Sequence, residues 1–314
     1  MHRIIIDTDP GIDDAMAIHL AFAHPEIEML GLSAIYGNVS VAQATRNACV
    51  LVDMAGQPVP VARGAEQPLI QAPHPPADFA HGTEGFGDLD AMTHSHQPDP
   101  RSAAQFLVDS ILADPGNVTV CAVGPLTNLA LALEINPEIA TQIKQLVIMG
   151  GVVNQAGNVS EWSEANIWQD PHAADKVFAA RWPMTMVGLD VTTKIQCTPE
   201  DFASLAASNP KIGGFLNSIT PFYIEFHRAR SGEVACYLHD PSAVLFITNP
   251  ELFTVEETPL KVICEGEQVG RTVRAPDSGR APVKVTVAAD LEGVRAQFLS
   301  VLSTADAVRA SKTA

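Results

Sequence analysis

The sequence predicts a single α/β domain with a mostly parallel central sheet flanked by helices, related to the Rossmann folds. Apolar runs that suit buried strands alternate with stretches that suit helices, which is the chain order of a parallel sheet. Several of the apolar runs end in glycine or polar residues, as at Gly37-Asn38 and Gly150-Gly151. The chain has 314 residues, of which 46% are hydrophobic, enough for one large core. We therefore expect residues 1–314 to form one domain whose strand ends meet at one edge of the sheet.

The individual elements follow from the periodicity of apolar residues. The first strand is predicted at 4–6, and Pro10 with Gly11 forces a turn before a helix that begins near Asp14. Further strands are predicted at 29–35, 118–123, 146–149 and 184–189. Helices are predicted at 41–55, 101–113, 125–136 and 170–180, and again after Asp240.

Two segments do not fit this alternation. Residues 66–102 are rich in proline, histidine and glycine and are too long for a simple connection, so we expect a loop over the active site. His94 and His96 lie in this loop, but no nearby cysteine or third histidine completes a zinc set, which favours a solvated loop. Residues 305–314 are predicted to form a flexible tail.

The composition restricts the possible partners and location. The formal net charge of −17 disfavours nucleic acid and anionic membranes, because both would be repelled. No apolar run is long enough to span a membrane, and no signal-peptide pattern is present, so a cytoplasmic protein is expected. The five cysteines are scattered, with no Cys-x-x-Cys pair, which indicates small core residues rather than disulfides or a zinc ribbon.

Four aspartates follow the first strand. Asp7 and Asp9 stand two apart on one side of an extended segment, and Asp13 and Asp14 begin the next helix, so their oxygens can converge. An aspartate at a helix start often only caps free N–H groups, which would account for Asp13 or Asp14. This capping role would not explain Asp7 and Asp9, which would remain as mutually repelling anions at the end of a buried strand. Hard oxygen donors in this number instead predict a site for Ca²⁺ or Mg²⁺.

Two downstream segments carry further polar groups. His239-Asp240 leads into a helical pattern, although a histidine beside an aspartate is common and is weak evidence alone. A loop that contains Asn158, Glu164 and Asn166 offers two amides and a carboxylate, which suit the binding of several hydroxyls, as in a sugar. Turn formation accounts for Asn158 after a glycine but not for the other two residues.

These segments belong to a set of motifs that spans residues 3 to about 250. In chain order the motifs are Asp7-Thr8-Asp9-Pro10-Gly11-Ile12-Asp13-Asp14-Ala15, Tyr36-Gly37-Asn38, His81-Gly82, Gly124-Pro125-Leu126-Thr127-Asn128, Met149-Gly150-Gly151, Glu164-Ala165-Asn166 and His239-Asp240-Pro241. Together they closely resemble the inosine-uridine nucleoside hydrolases. The resemblance implies a nucleoside hydrolase-like fold and hydrolysis of the N-glycosidic bond of ribonucleosides to free base and ribose.

The resemblance also implies roles for particular residues. The Ca²⁺ ligands would be Asp9, Asp14, Asp240 and the backbone carbonyl of Val123. The substrate contacts would be Asp13, Asn158, Glu164, Asn166, Met149 and His81. Asp9 would take a proton from a metal-bound water that Asn38 helps to orient, and His239 would protonate the leaving base. Members of the family are usually homodimers or homotetramers, so a homo-oligomer is expected.

Two other functions fit part of the sequence. A haloacid-dehalogenase-like, Mg²⁺-dependent phosphatase also presents Asp-x-Asp at the end of a strand, but its downstream Gly-Asp-x-x-x-Asp motif is missing here. A non-catalytic ribonucleoside-binding protein would keep the metal and sugar contacts but lose the base or the acid, and both Asp9 and His239 are present.

The sequence leaves base preference open. Relatives often carry an aromatic residue where this chain has Ala165. Trp162, Trp168, Tyr223, Phe226 and His227 could substitute for it. The helical spacing of residues 222–227 is, however, more typical of core packing than of substrate contacts.

Overall fold

A computed structural model describes the backbone of residues 1–312 and the side chains of residues 1–304. Nine of its strands form one sheet, and two further pairs form short ribbons. The strands are β1 (His2–Thr8), β2 (Ile27–Ala34), β3 (Val61–Arg63), β4 (Asp99–Ser102), β5 (Val118–Ala122), β6 (Gln145–Met149), β7 (Met184–Val187), β8 (Gln196–Cys197), β9 (Cys236–Tyr237), β10 (Phe253–Thr258), β11 (Leu260–Val262), β12 (Thr272–Arg274) and β13 (Val283–Ala289).

The large sheet has the order β10-β13-β7-β6-β5-β1-β2-β3-β4. Its neighbouring strands run parallel except for β10, which pairs antiparallel with β13 at one edge. The predicted α/β fold with a mostly parallel central sheet is therefore confirmed. β1 lies in the interior of the sheet, between β2 and β5, so whatever follows its carboxyl end is surrounded by neighbouring strand ends.

Helices cover both faces of the sheet. They are α1 (Ile12–Ala23), α2 (Val41–Ala55), α3 (Asp78–His81), α4 (Ala103–Ala113), α5 (Thr127–Ile135), α6 (Ile139–Gln142), α7 (Ala165–Gln169), α8 (Pro171–Ala179), α9 (Leu189–Thr192), α10 (Pro199–Ser208), α11 (Ile212–Ser231), α12 (His239–Thr248) and α13 (Leu291–Lys312). In the described part of the chain, none of them is both long enough and apolar enough to cross a membrane.

The two hydrophobic layers follow from strand periodicity. Ile4 and Ile6 of β1 pack into the layer with α1, α2 and α10–α13, whereas Ile5 packs into the opposite layer with α4, α5 and α8. All three isoleucines are fully buried. This two-sided burial explains why the strand is a continuous apolar run instead of an alternating one.

Most predicted elements are present, with differences at their ends. The helix at 41–55 has the predicted bounds, because Ser40 forms a capping box at its start and Gly56 adopts a left-handed conformation at its end. The helix predicted from 101 begins at Ala103, since the preceding residues join the sheet as β4. The strand predicted to reach 189 ends at Val187, because Gly188 is the N-cap of the short helix α9.

The segments that did not fit the alternation contain some regular structure. Residues 66–102 include the short helix α3 and the edge strand β4. Of the predicted tail at 305–314, residues 305–312 continue α13, and residues 313–314 lie outside the described part of the chain. All five cysteines are free, and four are buried, as predicted for core residues.

Candidate active site

The candidate site lies at the carboxyl edge of three adjacent strands, β6, β5 and β1. Asp9 closely follows β1, Val123 follows β5, and Met149 is the last residue of β6. The first turns of α1 and α12 supply the other carboxylates. Residues that lie more than 200 positions apart in sequence therefore meet at one point.

Three carboxylates form the centre of the site. Asp13, Asp14 and Asp240 each offer an oxygen within 4.8 Å of the others, and all three residues are buried. Asp14 is the most constrained, since its Oδ1 accepts a hydrogen bond from Thr8 Oγ1 at 2.5 Å and its Oδ2 accepts one from the Gly11 N–H at 3.0 Å. Its carboxylate therefore has a fixed orientation within the cluster.

Asp9 lies beside this cluster, outside the group of three. Its Oδ2 accepts the Asn38 N–H at 2.6 Å, and the Asn38 side chain donates to Asp14 Oδ2 at 3.0 Å. Asn38 thus orients two carboxylates at once. A side chain at Gly37 would place its Cβ 2.0 Å from Asp9 Oδ2, so glycine is required for this close approach.

The electrostatics of the cluster are unfavourable without a cation. Burial raises the pKa of Asp13 and of Asp14 to about 6, and burial together with neighbouring aspartates holds the pKa values of Asp9 and Asp240 well above their usual range. Within the described structure, Asp9 Oδ1 and Asp13 Oδ1 are buried and accept no hydrogen bond. Buried carboxylate oxygens that lack protein donors fit a hard divalent cation.

Asp7 is separate from this cluster. It is fully buried, its Oδ1 accepts hydrogen bonds from Ser33 Oγ and from Asn128 Nδ2, and burial raises its pKa to about 7. These partners lie on β2 and α5, so Asp7 ties the end of β1 to its surroundings.

The loop before α7 contributes the polar wall of the site. Glu164 caps α7, because its carboxylate accepts the N–H groups of Asn166 and Ile167 and also that of Gly151. Asn166 Nδ2 donates to the carbonyl of Val123 at 2.9 Å and to that of Met149 at 3.1 Å. The predicted carbonyl ligand and the predicted sugar contacts are therefore connected by hydrogen bonds.

Two histidines face the site. His239 Nδ1 lies 2.8 Å from Thr192 Oγ1, and burial lowers the His239 pKa to about 4, so the ring is neutral at pH 7. His81 Nδ1 accepts the Ile12 N–H at 3.2 Å, and burial lowers its pKa to about 4 as well. Its 3.8 Å approach to Asp13 is therefore not an ion pair.

The site opens through two connected cavities. The inner one, of about 60 Å³, is lined by Asp13, Asn38, His81, Val123, Met149, Asn158, Glu164, Ala165, Asn166, Tyr223, His239 and Asp240. The outer one, of about 360 Å³, shares six of these residues, among them Asn158 and His239. Ten of the twelve predicted site residues line the inner cavity, and the other two, Asp9 and Asp14, lie behind its wall.

The outer cavity has an aromatic wall that the sequence analysis did not assign to the site. Tyr223, Phe226 and His227 of α11 line it, together with Tyr237. His227 packs edge-on against Tyr223 and Tyr237, with ring centroids 4.4 and 4.2 Å away. Tyr223 is buried in the hydrophobic core and Phe226 packs against that core, as the helical spacing predicted, and the same helix face also borders the cavity.

The other aromatic candidates lie elsewhere. Trp162 stacks under the Arg271 guanidinium, 4.5 Å from its ring centroid, and Trp168 stacks on His74 at 3.5 Å. Neither lines the two cavities. One feature of the sequence could have indicated that α11 borders the site. His227 and Arg230 are polar residues at helical spacing from Tyr223 and Phe226, which is unusual for a helix face that only packs in a core.

The chain is similar to known nucleoside hydrolases in sequence and in fold. The family model described as inosine-uridine preferring nucleoside hydrolase matches residues 4–296. Uridine nucleosidase 1 of Arabidopsis thaliana is 41% identical over 303 residues, which cover 93% of this chain and 90% of that protein. A plant nucleoside hydrolase structure superposes with a TM-score of 0.93 at 36% identity, covering 96% of this chain and 99% of the other. A purine-preferring ribonucleoside hydrolase from Gardnerella vaginalis also has a TM-score of 0.93, at 34% identity, covering 96% and 98%.

Proposed function

Because this chain belongs to the inosine-uridine preferring nucleoside hydrolase family, we propose that it hydrolyses the N-glycosidic bond of ribonucleosides to free base and ribose. One observation carries the proposal. His239 lines both the acidic inner cavity and the aromatic outer cavity, so it stands between a place for a sugar and a place for a base. The scissile bond joins those two parts of a nucleoside.

We further propose that the site holds Ca²⁺. Asp14 and Asp240 would bind it with the Val123 carbonyl, and Asp9, whose Oδ1 lacks a protein donor, would complete the protein ligands. By the distances between carboxylate oxygens, Asp13 could be a metal ligand as readily as Asp14 or Asp240. We assign Asp13 to the ribose hydroxyls because the family resemblance implies that role and because Asp13 lines the inner cavity. Bound there, the cation would neutralise the cluster, bind ribose hydroxyls and lower the pKa of a coordinated water.

The polar wall would hold the sugar. Asn158, Glu164 and Asn166 line the inner cavity and are fixed by hydrogen bonds to backbone groups. Met149 and His81 line the same cavity and would restrict the space around the ribose. Such preorganised groups place the glycosidic bond without reorganisation during the reaction.

The chemistry follows from charge. Cleavage develops positive charge on the ribose ring, which the buried carboxylates favour. Asp9 would accept the proton of the attacking water. Asn38 would position Asp9 through the 2.6 Å hydrogen bond. His239 would act as the acid in its protonated form, in which Nδ1–H donates to Thr192 Oγ1 and Nε2 gives its proton to the leaving base, leaving a neutral ring.

The alternatives are weaker. Membership of the family over residues 4–296 excludes the phosphatase interpretation. A non-catalytic ribonucleoside-binding protein would require an impaired base or acid, whereas Asp9 and His239 are both present, Asp9 beside the carboxylate cluster and His239 on the wall of both cavities.

Two further parts of the proposal concern the protein as a whole. The family resemblance supports a homodimer or homotetramer, which sedimentation velocity would test. The five free cysteines support a cytoplasmic location, because reducing compartments keep thiols unpaired. Fractionation of the source cells would test it.

The decisive experiment is base release from inosine, adenosine, guanosine, uridine and cytidine, with and without chelation of Ca²⁺. We expect ribose reducing ends from at least one nucleoside, and loss of that signal on chelation with recovery on adding Ca²⁺. Unchanged turnover in chelator would contradict the calcium proposal alone. Nucleosides that remain intact during long incubation with Ca²⁺-loaded protein would establish the non-catalytic alternative.

A further inference from the structure

Arg230 joins the two ends of the candidate site. It lies in the last turn of α11 and lines the outer cavity. Its Nη2 donates a hydrogen bond to the backbone carbonyl of Asn158, and its guanidinium lies 6.0 Å from the centroid of the Phe226 ring. Asn158 lines both cavities. The contact therefore connects the aromatic helix to the loop that carries a sugar-binding amide.

The loop around Asn158 has few other attachments to the fold. Its earlier part is tied down by the Asn154 N–H, which donates to Asp190 at 2.7 Å. Its later part is held by Ser163, whose Oγ donates to the Val269 carbonyl at 2.5 Å. Among the described residues, Arg230 alone forms a hydrogen bond between the 156–161 loop and a residue outside 150–166.

The Asn158 side chain needs this support. Its Oδ1 accepts the Ala165 N–H at 3.0 Å, which orients the amide toward the start of α7. This orientation is kept only if the loop backbone stays in place. Residues 159–161 are exposed. Among the residues that line the two cavities, Arg230 is also the single lysine or arginine, and its planar fork suits a carbonyl acceptor.

We propose that Arg230 is a positioning residue that holds Asn158 against the ribose by clamping the 156–161 loop to α11. The inference rests on the proposed function in taking Asn158 as a ribose contact. It predicts that loss of Arg230 weakens binding of the ribose, which all substrates share. The effect is therefore independent of the base, although Arg230 borders the base cavity.

The test compares Arg230→Ala and Arg230→Lys with Arg228→Ala. Arg228 lies on the same helix, is exposed, pairs with Glu225 and does not line the cavities. In Ca²⁺-containing buffer, binding of D-ribose is measured by titration calorimetry. Values of kcat and KM are measured for uridine, inosine and 4-nitrophenyl riboside.

We expect Arg230→Ala to weaken ribose binding and raise KM by roughly twofold to tenfold, by the same factor for all three substrates, with kcat little changed. Arg230→Lys should restore part of the loss, and Arg228→Ala should behave as wild type. Wild-type values in Arg230→Ala, a change confined to particular bases, or a wild-type protein that does not bind ribose would each overturn the inference. Failure of wild type to release any base would contradict the proposed function instead, and the ribose titration would still decide the role of Arg230.

Discussion

Replacing Asp240 by asparagine should stabilise the calcium-free protein and remove its response to calcium. Asp240, Asp13 and Asp14 lie within 4.8 Å of one another and are buried. At that distance two unit charges repel by about 3.5 kcal/mol for an effective dielectric constant of about 20. The substitution keeps the size of the side chain and removes two of the three repulsive pairs.

The net gain is smaller than the full repulsion, because the calcium-free protein relieves part of it by retaining protons. The pKa values of Asp13 and Asp14 are raised from 3.8 to about 6. A carboxyl with a raised pKa stabilises the folded state below its unfolded pKa, and that contribution is lost as the pH rises through about 6. We therefore expect the variant to gain about 3 kcal/mol at pH 8, or about 4–5 °C in Tm for a chain of 314 residues, and about half of that at pH 5.

Thermal unfolding in chelator and in Ca²⁺, at pH 8 and pH 5, measures both effects. Wild type should gain about 2.7 kcal/mol with Ca²⁺ at about 100 times its Kd, whereas the variant should gain nothing. Asp277→Asn, which removes an exposed carboxylate, is the matched control and should leave both values unchanged. A variant that is no more stable than wild type in chelator at pH 8, or that responds to Ca²⁺ as wild type does, would refute the reasoning.

Three further substitutions test separate parts of the site. His239→Ala should lower kcat/KM for inosine and uridine by about 10² to 10⁴-fold, with a much smaller loss for 4-nitrophenyl riboside, whose leaving group departs without a proton. Gly37→Ala should abolish base release and the thermal response to Ca²⁺, because the new Cβ would lie 2.0 Å from Asp9 Oδ2. Glu164→Gln should lower the free energy of unfolding by about 1–3 kcal/mol in denaturant titrations, since the amide nitrogen cannot accept the N–H groups that the carboxylate binds.

Each of these has a control on the same chain. His94→Ala changes a histidine of the 66–102 segment that lines neither cavity. Gly214→Ala adds a Cβ where no atom lies within 4 Å, and Glu161→Gln changes an exposed carboxylate in the loop before α7. Equal losses on inosine and the nitrophenyl substrate in His239→Ala would argue against an acid role. Normal turnover in Gly37→Ala, or wild-type unfolding in Glu164→Gln, would contradict the corresponding contact.

Much of the sheet was predictable because its strands are buried on both faces. Such strands are short runs of branched apolar residues, as in Ile4 to Ile6, and they stand out in any sequence. The antiparallel edge strand β10 was missed, since residues 254–257 are exposed and two of them, Glu256 and Glu257, are charged. Strand β4 contains a proline and belongs to a segment that resembles a loop, so local sequence does not reveal its pairing with β3.

The polar half of the site was predictable for a different reason. A run of aspartates after a buried strand has few structural uses, and ten of the twelve predicted residues line one cavity. Local sequence did not reveal that Asp13 lies close enough to Asp14 and Asp240 to share a metal ion with them. This proximity depends on how α1 packs against α12. The aromatic half was missed because tyrosine and phenylalanine at helical spacing look the same whether they border a core or a cavity.

The carboxylates of the site lie at the sheet edge and most of its aromatic residues lie on α11, and this separation affects how related sequences can diverge. The carboxylates belong to strand ends and helix starts that the hydrophobic core holds in place. Most of the aromatic wall of the outer cavity belongs to one face of α11. Substitutions at Phe226 and His227 would alter that wall without touching the aspartate cluster, whereas Tyr223 also reaches the cluster, because its hydroxyl donates to Asp13 Oδ2 at 3.4 Å. Gene duplicates could thus acquire new base preferences in a few steps while inheriting the hydrolytic centre unchanged.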